Sequence, residues 1–238
     1  MKKSVLHTAD SRGHANHGWL NAYHSFSFAS WYNPDRVQFG MLRVLNDDTI
    51  AAGMGFGTHP HDNMEIITIP LEGDLAHKDS MGNAATIKTG DVQVMSAGTG
   101  IQHSEFNPNA DQRTKLFQIW VFPKIRNVEP RYQQITLDTT EQKNNFAQIL
   151  SPNPDDAGVW IHQDAWFHLA DFEAGYTKTY ELKKEGNGLY VFVISGTITV
   201  DGQELETRDG LGITDFKTLD FKATTDAKFL LMEIPMKQ

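Results

Sequence analysis

The sequence predicts an all-β chain made of two similar barrels in tandem. Three observations carry that expectation. With 238 residues the chain is long enough to bury either one large core or two of ordinary size. Most of it falls into short β-branched or aromatic runs separated by glycine, aspartate and asparagine, with few stretches long enough for an amphipathic helix. An order of elements met in the first half returns in the second.

The runs that read as strands are residues 38–44, 64–71, 84–88, 91–96, 115–122, 189–194 and 228–234. A tight turn is expected at Met81-Gly82-Asn83 after Asp79. A two-residue hairpin is expected at Asp201-Gly202, because both central positions of such a turn need positive φ. The repeat is carried by Ile69-Pro-Leu-Glu-Gly73-Asp-Leu followed by Gly90-Asp-Val-Gln-Val, and by Val193-Ile-Ser-Gly196-Thr-Ile-Thr-Val followed by Asp209-Gly210-Leu-Gly-Ile. Each half thus has strand, glycine turn, strand and glycine-aspartate turn, which suggests one barrel per half. Residues 123–154, rich in proline, asparagine and glutamine, contain the connection, and the expected division is 1–133 and 134–238.

Composition narrows the function classes. A hydrophobic fraction of 39% with 21% charged residues is ordinary globular composition. The formal charge of −9 leaves no broad basic face for phosphates, so direct nucleic-acid binding is not expected. With no cysteine there are no disulfides, thiolate ligands or thiol nucleophile, and any metal falls to histidine and carboxylate. The N-terminal residues run from two lysines into polar residues, unlike a secretory signal. Apolar stretches such as residues 189–194 are too short to cross a bilayer as a helix, and a cytoplasmic protein is expected.

Histidine spacing marks the site. In Gly53-Met-Gly-Phe-Gly-Thr-His59-Pro-His61 the two histidines are two apart, and in extended backbone alternate side chains leave the same face. Pro60 lacks an amide donor and suits a strand entrance or edge. Gly98-Thr-Gly100-Ile-Gln-His103-Ser-Glu105-Phe-Asn107 repeats the spacing with a histidine and a carboxylate. A lone His-x-His on a strand is ordinarily a pair of surface or hydrogen-bonded histidines, and it is the second pair that turns the balance toward a metal. Three imidazoles and one carboxylate suit iron, manganese, nickel, copper or zinc, and an octahedral ion would keep two positions open.

At these residues the sequence resembles the cupin superfamily. Gly53, His59, His61, Glu65 and Gly73 follow the first cupin motif, while Gly90, the Gly98 turn, His103 and Asn107 resemble the second. Ser96 stands where the usual motif has proline, and His103 lies two residues later than expected from Gly98. Those departures, with Glu105, are similar to the pirins, as are Arg12-Gly-His-Ala-Asn-His-Gly-Trp-Leu20, His24-Ser-Phe-Ser-Phe-Ala29 and Ser96-Ala-Gly-Thr-Gly-Ile101.

The resemblance implies a bicupin of two tandem jelly-roll β-barrels, with one divalent transition-metal ion on His59, His61, His103 and Glu105 of the first barrel, and with Glu65 not a ligand. Iron is the first expectation for that ion, and zinc, manganese, nickel, copper and cobalt are admitted. It further implies a quercetin 2,3-dioxygenase, opening a flavonol ring with O₂ and releasing carbon monoxide, in which Glu105 takes the proton of the flavonol 3-hydroxyl. The second barrel is expected to be metal-free, because Leu182, Lys184, Ala223 and Thr225 fall at the places of the four ligands. A different class is also implied, a regulatory protein whose redox-responsive metal alters contacts with a protein partner, and a third reading is a cupin acting on another small molecule. His14 and His17 are expected to make structural hydrogen bonds, His77, His162 and His168 to be solvated or satisfied in the core, and Trp120 and Phe122 to pack in a buried strand.

Overall fold

The computed structural model describes residues 2–237, and nearly all of their regular structure is β. The first half carries β1 (Lys3–His7), β2 (Gly13–Asn16), β3 (Leu20–His24), β4 (Leu42–Ile50), β5 (Gly55–His61), β6 (Glu65–Glu72), β7 (Leu75–Asp79), β8 (Ala84–Ile87), β9 (Asp91–Ser96), β10 (Ile101–Phe106), β11 (Thr114–Val121) and β12 (Arg131–Thr136). The second carries β13 (Ala147–Ser151), β14 (Val159–Trp160), β15 (Trp166–Phe172), β16 (Thr177–Glu181), β17 (Asn187–Ser195), β18 (Ile198–Val200), β19 (Gln203–Leu205), β20 (Gly210–Thr214), β21 (Thr218–Ala223) and β22 (Ala227–Pro235).

These strands make the two tandem cupin barrels expected from the sequence, each a seven-stranded sheet facing a four-stranded one. The first barrel sets the order β12-β9-β6-β11-β4-β3-β2 against β5-β10-β7-β8, and the second sets β1-β20-β17-β22-β15-β13-β14 against β16-β21-β18-β19. The expected division after residue 133 falls inside β12, which pairs with β9 over Arg131 to Thr136, while β1 lies at the edge of the second barrel's sheet on β20. Among the described residues no helix is long and apolar enough to cross a membrane.

The period-two alternation of strands decides where the apolar side chains go. In β11, Phe117, Ile119 and Val121 leave one face and join a cluster with Phe167, Tyr190, Phe192, Leu230 and Met232 of the second barrel. The largest core therefore lies between the two seven-stranded sheets, with Phe117 and Phe192 edge to face at 5.4 Å. The second barrel's own interior is also apolar, filled by Phe172, Tyr180, Val191, Phe221, Phe229 and their neighbours. The first barrel's interior holds only two small apolar clusters. It buries Asn46, Asp48, Thr68, Gln93, His103 and Glu105 instead. A polar interior of this kind is costly unless it is occupied by hydrogen bonds or a ligand.

Two sequence expectations change. The strand read at 38–44 begins at Leu42, because Gly40 at φ +52° and the Phe39–Leu42 bridge form a tight turn, and it runs on to Ile50. The repeat is real but shifted: Asp91 and Asp209 make the same turn, accepting from the amides of Lys88 and Glu206 at 2.9 Å each. The residue before each aspartate has positive φ, glycine at 90 (+94°) and arginine at 208 (+72°). An arginine there costs on the order of 1 kcal/mol of backbone strain. Its Nε bonds Asp47 of the first barrel at 3.2 Å, which offsets that strain with an inter-barrel contact. The hairpin at Asp201-Gly202 stands as expected, joining Val200 to Gln203 with both residues at positive φ.

Candidate metal centre

β5 and β10 lie antiparallel with His59 opposite His103 and His61 opposite Ile101, and the register slips between His103 and Glu105. Gly55 lets the strands approach: a Cβ there would stand 2.2 Å from the Glu105 carbonyl oxygen. The two His-containing pairs thus face one hollow, as the spacing predicts. Ring centroids are 4.9 Å apart for His59–His61, 4.4 Å for His59–His103 and 4.9 Å for His61–His103. One nitrogen from each ring lies within 4.8 Å of the other two.

The protonation of these rings suits a cation. His59 Nδ1 is 2.8 Å from the Gly57 carbonyl oxygen, which only accepts, so the proton sits on Nδ1 and the Nε2 lone pair is free. Burial, and then the neighbouring His59, hold His61 down to about 4. Burial, and then His59, His61 and His77, hold His103 down to about 2. His61 and His103 are thus neutral imidazoles at pH 7, the form that ligates a metal. His103 is 2% exposed, and neither of its ring nitrogens has a protein partner. An unpaired buried nitrogen costs about 1–3 kcal/mol, and a cation among the three rings would remove that cost. The residues therefore fit a divalent transition ion.

Glu105 stands outside the 4.8 Å cluster but lines the same cavity. It is 4% exposed, and both of its oxygens accept from Gln118 Nε2, at 3.0 and 3.1 Å. Burial raises its carboxyl above the ordinary range, against the opposing Gln118 hydrogen bond.

The cavity over these residues has a volume of about 430 Å³, enough for a small aromatic molecule. Its walls include Trp19, Phe28, Phe56 and Trp120. The Trp120 ring is 5.0 Å from His61 and 5.4 Å from Phe28, nearly perpendicular to both. Trp120 packs against the Ile66, Met95, Ala97 and Ile101 cluster, as expected, and lines the cavity besides: Leu116, Gln118 and Trp120 take the inward positions of β11, whereas Phe117, Ile119 and Val121 face the other barrel. Phe122 does pack against that inter-barrel core. A larger hollow of about 1240 Å³ borders Asp164, which is bonded to Lys124 and Lys184, and includes none of the cluster histidines.

The other histidines divide. His14 Nε2 meets Asn21 Oδ1 at 2.6 Å, a structural bond as expected. His77 departs from expectation, for it is 3% exposed with both nitrogens unpartnered, and its ring lies 5.2 Å from His103. His168 is buried in the second barrel beside Tyr180, with Nδ1 unpartnered, and His162 packs on Trp160.

Glu65 does not line the cavity. Its carboxylate accepts from Ser96 Oγ at 2.6 Å, so the serine in place of the motif's proline is what engages it. Sequence reasoning missed Gln118, Asn46 and Asp48, all of which line the cavity. The available signal was a polar residue at alternate positions of an otherwise apolar strand, as Gln118 is in β11.

In the second barrel the strand pairs shift the counterpart positions. His77 stands four residues after Gly73 and faces Glu105, and Val200 stands four after Gly196 and faces Phe221. Leu219, two before Phe221, pairs with Tyr180 as His103 pairs with His59. The counterparts are thus Tyr180, Leu182, Leu219 and Phe221, in place of the set read from the glycines.

Two family descriptions match the chain: Pirin over residues 5–121, and Quercetinase C-terminal cupin domain over residues 148–234. A quercetin 2,3-dioxygenase of Escherichia coli K12 is 43% identical over 234 residues, 97% of this chain and 98% of its own. A pirin-like protein of Caulobacter vibrioides is 42% identical over 225 residues, 94% of this chain and 96% of its own. The crystal structure of the bacterial pirin YhhW of Escherichia coli in complex with nickel(II) matches with a TM-score of 0.93 at 40% identity, covering 98% of this chain and 99% of that one.

Proposed function

We propose, from the premise that the chain belongs to the pirin family of two-barrel cupins, that it is a cytoplasmic metal-dependent dioxygenase that opens the flavonol quercetin with O₂ and releases carbon monoxide. The observation that carries the reading is His103, buried with two unpartnered nitrogens beside His59 and His61, which line an aromatic cavity. The name of the Escherichia coli relative and the nickel complex of YhhW support it.

In this reading His59, His61 and His103 hold the ion and Glu105 completes the set. Iron is the ion we propose, and zinc, manganese, nickel, copper and cobalt are the others these donors accept. When bound, a divalent ion supplies Lewis acidity that favours the anionic form of a hydroxyl. Glu105 accepts the proton of the flavonol 3-hydroxyl, and the Gln118 amide orients its carboxylate. Trp19, Phe28, Phe56 and Trp120 give flat apolar surface, and each ring contact adds about 0.5–1.5 kcal/mol beyond the area it buries. The same walls keep bulk water from the reacting ring.

The test is incubation of metal-assayed protein with quercetin in air, following loss of flavonol absorbance and release of carbon monoxide. Wild type turns over and His59→Ala does not. Metal-loaded wild type that is no faster than the free ion at equal concentration would end this reading.

A further inference from the structure

Two buried polar groups of the cavity's lining lack a partner. On the wall opposite the histidines, His24 Nδ1 and Asn46 Oδ1 satisfy one another at 2.8 Å, and Gln118 serves Glu105. Asp48 lies two residues beyond Asn46 on β4 and so on the same face, paired with Leu116 of β11 on one side and Ala22 of β3 on the other. It is 5% exposed, it lines the cavity, and its Oδ1 is buried without a partner. Trp120 Nε1, also on the lining, is likewise buried and unpartnered.

We propose that Asp48 is a specificity-determining residue of this cavity: its carboxyl group exchanges hydrogen bonds with a hydroxyl of the bound aromatic molecule and selects polyhydroxylated rings over bare ones. The inference rests on the aromatic-substrate reading above and goes beyond it. The histidines come from the four-stranded sheet and Asp48 from the seven-stranded sheet facing it, so a molecule held at the histidines meets Asp48 across the cavity. Burial foremost, and then the charges of Asp47 and Glu105, push the Asp48 carboxyl well above its usual range. The uncharged form that this burial favours has one O–H to donate and a carbonyl oxygen to accept, the complement of a phenol. A site with such a group discriminates strongly, because a ligand lacking the hydroxyl leaves the buried carboxyl unpaired.

The test uses nickel-loaded full-length protein without oxygen, with quercetin and 3-hydroxyflavone as probes and quenching of tryptophan emission as the readout. Wild type should prefer quercetin by at least about tenfold. Asp48→Leu should weaken quercetin about 10- to 100-fold, leave 3-hydroxyflavone within about threefold, and keep nickel content and melting temperature at or above wild type. Asp48→Asn, which keeps a donor and an acceptor, should retain the preference. An unchanged ratio in Asp48→Leu, an equal loss in Asp48→Asn, or no preference in wild type overturns the inference and leaves the aromatic-substrate reading standing. Failure of wild type to bind either flavonol overturns both.

Discussion

Replacing Glu65 by glutamine removes one titratable group at almost constant shape. Glu65 is 1% exposed at the start of β6, where it accepts from Ser96 Oγ; Arg131 reaches the same hydroxyl at 3.4 Å while also bonding the Trp160 carbonyl at 2.6 Å and stacking on the Trp160 ring at 3.8 Å. Burial is the leading cause that raises Glu65 from an ordinary 4.5 to about 7, against the lowering effects of Ser96, Arg131 and a backbone hydrogen bond at His162. The folded chain keeps this proton up to about pH 7, whereas the unfolded chain releases it near 4.5. The folded state therefore binds more protons in that window, and the contribution present below 4.5 is lost as pH rises through 7. The difference is roughly 3 kcal/mol at 1.36 kcal/mol per pH unit. Urea unfolding of both proteins in chelator, from pH 4.5 to 8.5, reads it as a difference of differences in which the other titrating groups cancel. Glu65→Gln should gain roughly 3 kcal/mol relative to wild type across that range. A stability difference that stays level with pH refutes the assignment.

Three further outcomes are expected. Gln118→Leu removes both hydrogen bonds to Glu105 and should lower metal affinity or turnover about 10- to 100-fold, checked by competitive metal titration and quercetin turnover. Asp47→Asn leaves Arg12 and Arg208 facing each other at the barrel junction without their shared carboxylate, and urea unfolding should show a loss of about 3 kcal/mol. Phe117→Ala empties a fully buried ring site between the barrels and should cost about 3–5 kcal/mol by the same assay while metal stoichiometry stays unchanged.

The clustering of the three histidines was legible because strand periodicity acts locally: two residues apart means one face, whatever the rest of the chain does. Of Gly53, Gly55 and Gly57, Gly55 marks a close approach of backbones, against Glu105, while Gly53 serves a turn at φ +69° and Gly57 has open space beside it. The cavity wall was not legible, since Asn46-Asp-Asp48 has the composition of a turn and is strand only because its alternate side chains face a polar interior. Trp120 was obscured for the complementary reason. A strand buried on both faces reads as a nearly continuous apolar run, and only Gln118 within it marks the face that Trp120 shares with the cavity. The places read in the second barrel were off by two residues on one strand and by four on the other, and two of those four came from Arg208, which occupies a backbone position where glycine would have declared the turn.

The placement of the main apolar cluster between the seven-stranded sheets divides labour between the two copies. One copy is a foundation: its interior and its outer sheet face are both hydrophobic, and Tyr180, Leu182, Leu219 and Phe221 stand where the other carries its histidines and Glu105. The other is cantilevered from it through Phe117, Ile119 and Val121, and its hollow is released from the duty of holding the fold together. Substitutions inside that hollow should then carry a smaller thermal penalty than substitutions in the core between the sheets. Neither copy is free to leave the other, for separation would strip an entire sheet of its cover.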